Sequence, residues 1–204
     1  MKKVLLMALA AVAMFSCAKP EKTIENLKAA ATGESNASAH YALYAERAAA
    51  DSLFNIAAMF QATSASEKIH ASNHLAELAK LGVTDFTPVI EEVVVDSTYA
   101  NLVAANAGEE YEFGTMYPGF IEVAIAEKAT GAQQVCEWAM AIEKKHSEFY
   151  KAAMAALVAD SSDKNLPTAW VVCTKCGDTF VKNDAPAACP LCGTVAEKFT
   201  SFGM

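Results

Sequence analysis

Two short stretches of the chain place a glutamate three residues before a histidine. Glu67 and His70 form the first pair, and Glu143 and His146 form the second, 76 residues further along. Residues three apart lie on the same side of a helix. His146 also lies in an apolar stripe of helical period, which runs from Val135 to Ala153, so that this helix would turn an imidazole and a carboxylate towards the core. Buried carboxylates are costly unless they bind a metal or pair with a charge.

Two further glutamates repeat at a matching spacing. Glu34 precedes Glu67 by 33 residues, and Glu109 precedes Glu143 by 34. At ~1.5 Å per residue, antiparallel helices that turn near Asp51 would place Glu34 level with Glu67. One Glu from each of two helices and Glu-x-x-His from each of the other two is the ligand set of di-iron and di-manganese bundles. A single Glu-x-x-His is more often a solvated charge pair, but two copies in register predict a centre of two metal ions.

Four cysteines near the C-terminus have the spacing C-x₂-C-x₁₂-C-x₂-C: Cys173, Cys176, Cys189 and Cys192. Two such hairpin tips bind one metal through four thiolates. Gly177 and Gly193 follow the second cysteine of each pair, where a positive φ would let backbone N–H groups turn back towards sulfur. Spacing alone does not distinguish iron from zinc, and two disulfides are a third interpretation if the thiols are oxidised before a metal binds.

Four long helices are predicted to carry the glutamates and histidines, over about 23–50, 52–81, 98–129 and 132–159. Asp51-Ser52 and Thr130-Gly131 predict short turns, whereas Gly82, Pro88 and a β-branched run predict an extended connection before the third helix. Two short turns and one long connection are typical of a mainly α fold, a ferritin-like four-helix bundle with one long crossover. The predicted domains are a leader over 1–17, the bundle over 18–160, a polar linker over 161–168 and a metal-knuckle domain over 169–204.

Composition limits the classes of partner. The 204 residues are 53% hydrophobic, enough for one domain of ordinary size and a small second one. A net charge of −8 argues against nucleic acid or an anionic membrane surface as the main partner.

The first seventeen residues resemble an export signal. Lys2 and Lys3 precede an apolar run over 4–15 that is too short for a membrane span, and Ser16 and Cys17 follow it. A small residue before a cysteine resembles a bacterial lipoprotein signal in which Cys17 is lipidated. We therefore expect an exported protein, anchored by a lipid in a bacterial cell envelope. The alternatives are a cytoplasmic protein and a frayed apolar N-terminal helix.

From Thr23 to its C-terminus the chain resembles the rubrerythrin family. The resemblance is carried by GESNASAHYALYA (33–45), SEKIHA (66–71), AGEEYEFGTMYPGF (107–120), EKKH (143–146) and the cysteine module. It implies that Glu67 and Glu143 bridge two non-haem iron ions. Glu34 would be a terminal ligand of one iron, and Glu109 and His146 would be terminal ligands of the other.

The same resemblance implies roles for further residues. Glu112 would exchange with His70 on the first iron as the oxidation state changes, and Tyr41 and Tyr117 would donate hydrogen bonds near the metals. The cysteine module resembles rubredoxin, which implies iron as its metal, with zinc as the alternative.

Three other residues near the motifs are not assigned as metal ligands. His74, four residues after His70, is interpreted as a solvated or helix-end histidine, with a lesser ligand as the alternative. His40 is interpreted as a supporting or surface residue. Cys136 is interpreted as a small buried residue.

Together these features imply an enzyme, an oxidoreductase of the rubrerythrin-type peroxidase class. It would reduce hydrogen peroxide to water at a non-haem di-iron centre, with electrons delivered through an Fe(Cys)₄ site. A separate electron-donor reductase or redox protein is expected, because the chain has no Gly-rich dinucleotide fingerprint, and a homodimer is expected. The alternatives are a ferritin-like ferroxidase or iron-handling protein, and a surface lipoprotein with a structural zinc ribbon.

Overall fold

A computed structural model describes residues 19–204 of the protein. Four long helices make up most of it, and the third is interrupted. Their bounds are α1 Glu21–Ala50, α2 Phe54–Lys80, α3 Thr98–Tyr111, α4 Tyr117–Ala126 and α5 Thr130–Asp160. Within the described residues, no helix is long and apolar enough to cross a membrane. The apolar leader and Cys17 lie outside this part of the chain, so the export signal stays a prediction.

The predicted turn at Asp51-Ser52 joins α1 to α2, with φ of 62° at Ser52. The turn predicted at Thr130-Gly131 lies instead at 127–129, because Lys128 takes the left-handed conformation, with φ of 59°, and Thr130 and Gly131 already belong to α5. The connection from α2 to α3 runs along α1 and forms no strand. Asn36 on α1 holds it with its side-chain amide, which donates to Val89 O at 2.9 Å and accepts from Glu91 N at 2.6 Å. The predicted four-helix bundle with one long crossover is therefore confirmed.

A π-helical turn over Glu112–Met116 joins α3 to α4. The N–H of Tyr117 donates to the carbonyl of Glu112, one residue further back than in an α-helix. Pro118 follows at once, and its ring nitrogen has no hydrogen to donate to a preceding turn. Turns of this kind are frequent at functional sites, and this one begins at a predicted metal ligand.

Two apolar clusters fill the bundle. Tyr41, Phe60 and Tyr150 lie at the centre of one, and Leu27 and Leu78 lie in the other. The buried glutamates and histidines occupy the layer between these clusters. The packing that forms the core therefore also fixes the helices that carry the site.

The C-terminal domain is a small antiparallel sheet in the order β2-β1-β3. Its strands are β1 Ala169–Val172, β2 Thr179–Val181 and β3 Thr200–Gly203. Asp163 in the preceding segment is buried and accepts hydrogen bonds from the N–H groups of Asn55 and Ile56, at 2.7 and 3.1 Å, at the start of α2. Trp170 packs edge-on against Phe149 of α5, with ring centroids 4.6 Å apart. These contacts hold the domain against α2 and α5.

Candidate metal centres

The two Glu-x-x-His pairs face each other at the centre of the bundle. Glu67 places Oε2 2.8 Å from His70 Nδ1 and Oε1 2.9 Å from His146 Nδ1. Glu143 repeats this arrangement, with Oε1 2.8 Å from His70 Nδ1 and Oε2 3.0 Å from His146 Nδ1. Each carboxylate thus presents one oxygen to each imidazole. Carboxylates in this arrangement could each bind two metal ions, as the sequence predicts for Glu67 and Glu143.

Glu34 on α1 and Glu109 on α3 complete two groups of ligands. The groups are Glu34, Glu67, His70 and Glu143, and Glu67, Glu109, Glu143 and His146. Within each group the ligand atoms all lie within 4.8 Å of one another. Tyr117 donates a hydrogen bond to Oε1 of Glu34, and Tyr41 donates to Oε1 of Glu109 at 2.8 Å. Each terminal carboxylate therefore has one oxygen held by a tyrosine and the other free to bind a metal.

Eight buried side-chain nitrogen and oxygen atoms in this layer, all of which could bind a metal, have no hydrogen-bond partner. They are Nδ1 of His70 and His146, both oxygens of Glu67 and Glu143, and Oε2 of Glu34 and Glu109. An unsatisfied buried polar atom costs roughly 1–3 kcal/mol, and more if it is charged. Four carboxylates and two imidazoles can neutralise and bind two divalent ions. The residues present therefore fit an iron pair.

The outer ring nitrogens fix the tautomers of the two histidines. Thr179 Oγ1 donates to Gly177 O, so His146 Nε2, 3.2 Å away, must donate to Thr179. Ser66 Oγ likewise donates to Gly177 O at 2.7 Å and lies 3.5 Å from His70 Nε2. A neutral imidazole held in this way carries its hydrogen on Nε2 and directs the Nδ1 lone pair at the carboxylates, an arrangement that is repulsive without a cation and suits a metal ligand. In the metal-free centre, burial acts to lower the pKa of His70, but the hydrogen bond with Glu67 and the charge of that carboxylate outweigh it and raise the pKa, which favours a proton on Nδ1.

Burial of so many carboxyl groups changes their pKa values. Burial, with added repulsion from neighbouring carboxylates, raises the pKa values of Glu34, Glu109 and Glu143 well above their ordinary range. Burial acts in the same direction on Glu67, but the two imidazoles outweigh it and lower its pKa to about 2. The metal-free centre therefore holds protons that metal ions must displace.

Glu112 is the predicted iron ligand that lies outside both groups. It is half-buried at the start of the π-helical turn and lines a cavity between α1 and α3. Burial, followed by the charge of Glu67, raises its pKa to about 8. His70 occupies the coordinating position in this conformation, so the exchange between His70 and Glu112 stays a prediction.

The interpretation of His74 as a solvated or helix-end residue is wrong. Its side chain is fully buried, with Nε2 3.0 Å from the hydroxyl of Tyr117. Burial, followed by the charge of His70, lowers its pKa to about 3, so the ring is neutral. Because the single Tyr117 proton is donated to Glu34, His74 donates its Nε2–H to Tyr117. The spacing of four from His70 places both histidines on one face of α2, and this signal was available in the sequence.

Cys136 is buried as predicted, and His40 is half-buried on α1. Burial raises the pKa of the Cys136 thiol to about 12, so the thiol stays protonated at neutral pH. It contributes to the apolar cluster around Leu27 and Leu78.

The four module cysteines converge on one point. The sulfurs of Cys173 and Cys192 are 3.4 Å apart, as are those of Cys176 and Cys189. A disulfide requires about 2.05 Å, and these thiols are free. Burial raises the pKa of Cys189 to about 12, so that metal binding must displace its proton. Four converging thiolates fit a tetrahedral iron site.

The glycines that follow the cysteine pairs have the predicted backbone conformation. Gly177 has φ of 87° and Gly193 has φ of 74°. Their N–H groups donate to the carbonyl oxygens of Cys173 and Cys189, at 3.0 and 2.9 Å, rather than to the sulfurs. The positive φ is therefore used to close each hairpin tip.

The cysteine module contacts the bundle at the two ligand histidines. A Cβ added to Gly177 would lie 2.5 Å from His70 Nε2, so no side chain fits there. The Gly177 carbonyl also accepts the hydrogen bonds from Ser66 and Thr179 described above. Cys176 is the covalent neighbour of Gly177. A path of few bonds therefore connects the four-cysteine centre to both imidazoles.

Comparisons with known proteins give one family for both parts of the chain. The family model described as Rubrerythrin matches residues 25–154, and the one described as Rubrerythrin, rubredoxin-like domain matches residues 171–200. Nigerythrin from Nitratidesulfovibrio vulgaris is 34% identical over 180 residues, which cover 88% of this chain and 86% of nigerythrin. Rubrerythrin from Porphyromonas gingivalis is 33% identical over 176 residues, which cover 85% and 86%.

Solved structures agree with this result. Nigerythrin in its fully reduced, all-ferrous state superposes with a TM-score of 0.79 at 34% identity, covering 88% of this chain and 86% of that chain. A bacterioferritin from Desulfovibrio desulfuricans gives a TM-score of 0.63 at 19% identity over 71% of this chain and 85% of that one, which shows a shared fold alone. The predicted ferritin-like fold and rubredoxin-like C-terminal domain are thereby confirmed.

Proposed function

Because the chain belongs to the rubrerythrin family of oxidoreductases, we propose that it reduces hydrogen peroxide to water at the paired centre. Electrons would enter through the four-cysteine module. Proteins of this family bind iron, and the two sets of ligands described above would hold an iron pair and a single iron. When bound, the pair would supply the two electrons that cleave the O–O bond of peroxide, and the cysteine module would pass replacement electrons one at a time. The observation that carries this proposal is the contact of the cysteine module with both ligand histidines, through Gly177 at His70 and through Thr179 at His146.

Reduction of peroxide to two waters consumes two protons, and tyrosines hold protons at the centre. Burial and nearby carboxylates raise the pKa values of the Tyr41 and Tyr117 hydroxyls well above their ordinary range. Both therefore stay protonated and donate to the terminal carboxylates. His74 supports this on one side, because it donates to Tyr117 and leaves the hydroxyl proton directed at Glu34.

Glu112 is the predicted iron ligand that a substrate in the cavity would meet first. Burial, followed by the charge of Glu67, raises its pKa to about 8 in the metal-free protein. It lies at the inner end of the cavity between α1 and α3. The six ligands in the bundle are buried, which excludes bulk water from the reaction.

Export is the part of the proposal that depends on the leader alone. We propose that Cys17 is lipidated and that the mature protein is held at the cell envelope, where a redox protein other than a cytoplasmic reductase would supply its electrons. Replacement of Cys17 by Ala should release the protein or leave it unprocessed, with unchanged iron content. A native protein that fractionates with the cytoplasm and retains Met1 would contradict this.

The test of the reaction is anaerobic stopped-flow mixing of the reduced, iron-loaded protein with hydrogen peroxide. The paired centre should consume one equivalent of peroxide rapidly. In the Cys173→Ser variant the first equivalent should still be consumed, but steady-state turnover with a protein electron donor should be lost. Undiminished turnover in this variant would refute the electron route. Slow reaction with peroxide, together with rapid oxidation of added ferrous iron by O₂, would favour an iron-handling protein instead.

A further inference from the structure

A cavity of about 300 Å³ lies between α1 and α3, beside the paired centre. Its outer rim includes Asn36 and His40, and the crossover connection holds both of these side chains. Asn36 bonds to the backbone of Val89 and Glu91, and His40 Nε2 lies 3.3 Å from Glu91 O. The inner end reaches Glu112 and Tyr41, and small residues form much of the wall between the ends: Gly33, Ala37, Ala104, Ala105 and Gly108.

Two glycines in this wall have no backbone reason to be glycine. Gly33 lies in the middle of α1 and Gly108 lies within α3. Glycine destabilises a helix interior by roughly 1 kcal/mol relative to alanine, and neither residue has a positive φ. Each directly precedes a terminal carboxylate of the paired centre, Glu34 or Glu109. The repeat of Gly-Glu in both halves of the bundle therefore points to a requirement for space at the site.

The space left by these glycines lies next to the two polar groups at the inner end. A Cβ at Gly33 would lie 3.9 Å from Glu112 Oε1, and a Cβ at Gly108 would lie 3.9 Å from the hydroxyl of Tyr41. A methyl group fits at either position in ordinary contact, but a longer side chain would extend into the cavity. The wall between the two ends is therefore mostly apolar, although Tyr44 also lines the cavity.

We propose that this cavity is the route by which peroxide reaches the paired centre, and that Gly33 and Gly108 set its width. Hydrogen peroxide has two heavy atoms and can exchange hydrogen bonds with Glu112 at the inner end. An organic hydroperoxide with a bulky alkyl group would meet the walls before its O–O bond reached the metals. The glycines are thus specificity-determining residues, and this role depends on the proposed peroxide reductase function.

The test compares Gly33→Met with Gly119→Met in the iron-loaded full chain. Gly119 is an exposed helical glycine in α4 with no atom within 4 Å of an added Cβ, so it controls for the helix propensity of methionine. In Gly33→Met, kcat/KM for hydrogen peroxide should fall by about tenfold or more, equivalent to about 1.4 kcal/mol in the barrier. Gly119→Met should keep the unaltered protein's kcat/KM.

A second readout does not depend on turnover. Azide binding to the oxidised iron pair is followed by visible absorption, and Gly33→Met should slow association and dissociation by similar factors. A narrowed passage changes both rates and leaves Kd nearly constant, whereas a distorted metal centre changes Kd. In the opposite direction, Ala37→Gly should increase turnover of tert-butyl hydroperoxide relative to hydrogen peroxide.

The outcomes separate this proposal from the proposed function. If Gly33→Met binds azide and consumes hydrogen peroxide at unaltered rates, the route is wrong. If the unaltered protein consumes no peroxide, the proposed function fails, but the azide rates still decide whether the cavity is the entry route. Should Gly33→Met lose iron, Gly108→Met gives the same test from the α3 wall, with a decrease of both azide rates supporting the route and unchanged rates refuting it.

Discussion

The two metal centres are constructed in opposite ways. The paired centre takes its ligands from four long helices, between residues 34 and 146, and all six side chains are fully buried or nearly so. The cysteine centre takes its ligands from two hairpin tips between residues 173 and 192, and Cys192 is partly exposed. The first depends on the packing of the whole bundle. The second depends on local turns, each closed by a glycine of positive φ.

This difference has a consequence for redox chemistry. Rigid helices hold carboxyl and imidazole atoms without hydrogen-bond partners in place, so the bundle keeps a polar site ready for two ions. The hairpin tips instead bring four thiols together on local turns, with Cys192 partly exposed. Gly177 joins the two arrangements, since it belongs to a hairpin tip and packs against His70.

The largest effect should come from removal of a bridging carboxylate. Glu67→Ala or Glu143→Ala removes two ligand atoms at once and leaves both imidazoles without one of their shared partners. We expect complete loss of the iron pair and retention of the single iron of the cysteine module. Metal analysis with a visible spectrum measures both. Glu110→Ala is the matched control, because Glu110 is exposed on α3 and pairs with Lys151 at 2.7 Å.

A bridging variant that kept its full complement of bundle iron would refute the assignment of Glu67 and Glu143. Loss of iron from the cysteine module in the same variant would show that the two centres do not assemble independently.

The next largest effect should come from the contact between the centres. Gly177→Ala would place a Cβ 2.5 Å from His70 Nε2 and should push the module away from the bundle. We expect electron transfer from the cysteine iron to the pair, followed by stopped-flow absorption, to slow by about tenfold, the effect of roughly 1.4 kcal/mol on a barrier.

Gly193→Ala is the control for the backbone effect. Gly193 has the same motif position and a similar φ, but no atom lies within 4 Å of its added Cβ. Both variants carry the strain of alanine at positive φ, roughly 1 kcal/mol or more. Only the Gly177 variant loses the contact with His70. Equal electron-transfer rates in the two variants would exclude Gly177 as the connection.

Much of this arrangement could be predicted from the sequence. The spacing of the two Glu-x-x-His pairs and the two earlier glutamates predicts a paired metal centre, because helix geometry converts regular spacing into position. The cysteine spacing predicts a single site, because its ligands lie close together in the chain. The first signal is periodic along the helices, and the second is local in the chain.

The remaining features depend on contacts that no spacing encodes. The burial of His74 depends on Tyr117, 43 residues away on another helix. The contact of Gly177 with His70 depends on how the C-terminal domain docks, and the buried anchor Asp163 lies in a segment predicted only as a polar linker. The cavity beside Glu112 exists because wall residues such as Gly33 and Gly108 have no side chain to fill it. Such features require the tertiary structure.

In the metal-free protein, a change of pH should alter the stability of the bundle. This effect should be smaller than those of the variants described above. Folded-state pKa values are raised for Glu112, to about 8, and for Glu34, Glu109 and Glu143. Between pH 6 and 8 the folded chain therefore binds more protons than the unfolded chain, and stability falls as pH rises. Glu67, with a pKa of about 2, stays ionised in both states over this window.

We expect the melting temperature of the metal-free bundle to be lower at pH 8 than at pH 6 by on the order of 5 °C. Circular dichroism at 222 nm measures this, since most of the helix lies in the bundle. The iron-loaded protein is the control and should lack this dependence, because its ligands are ionised throughout. A metal-free protein that is equally stable at both pH values would show that the buried carboxyl groups are not protonated as inferred.

The smallest effect should come from His74, which reaches the paired centre only through Tyr117. Its Nε2–H donates to the Tyr117 hydroxyl at 3.0 Å, and the hydroxyl proton is thereby directed at Glu34. His74→Phe keeps an aromatic ring in the buried position but removes the donor, which is worth about 1 kcal/mol for a typical hydrogen bond. We expect kcat for peroxide to fall only a few-fold, with iron content unchanged. The Gln side chain can still donate to Tyr117, so His74→Gln should recover most of the kcat that His74→Phe loses. A structural defect alone would lower the melting temperature in both variants without this recovery of kcat. Equal kcat in His74→Phe and the unaltered protein would mean that Tyr117 keeps its orientation without His74.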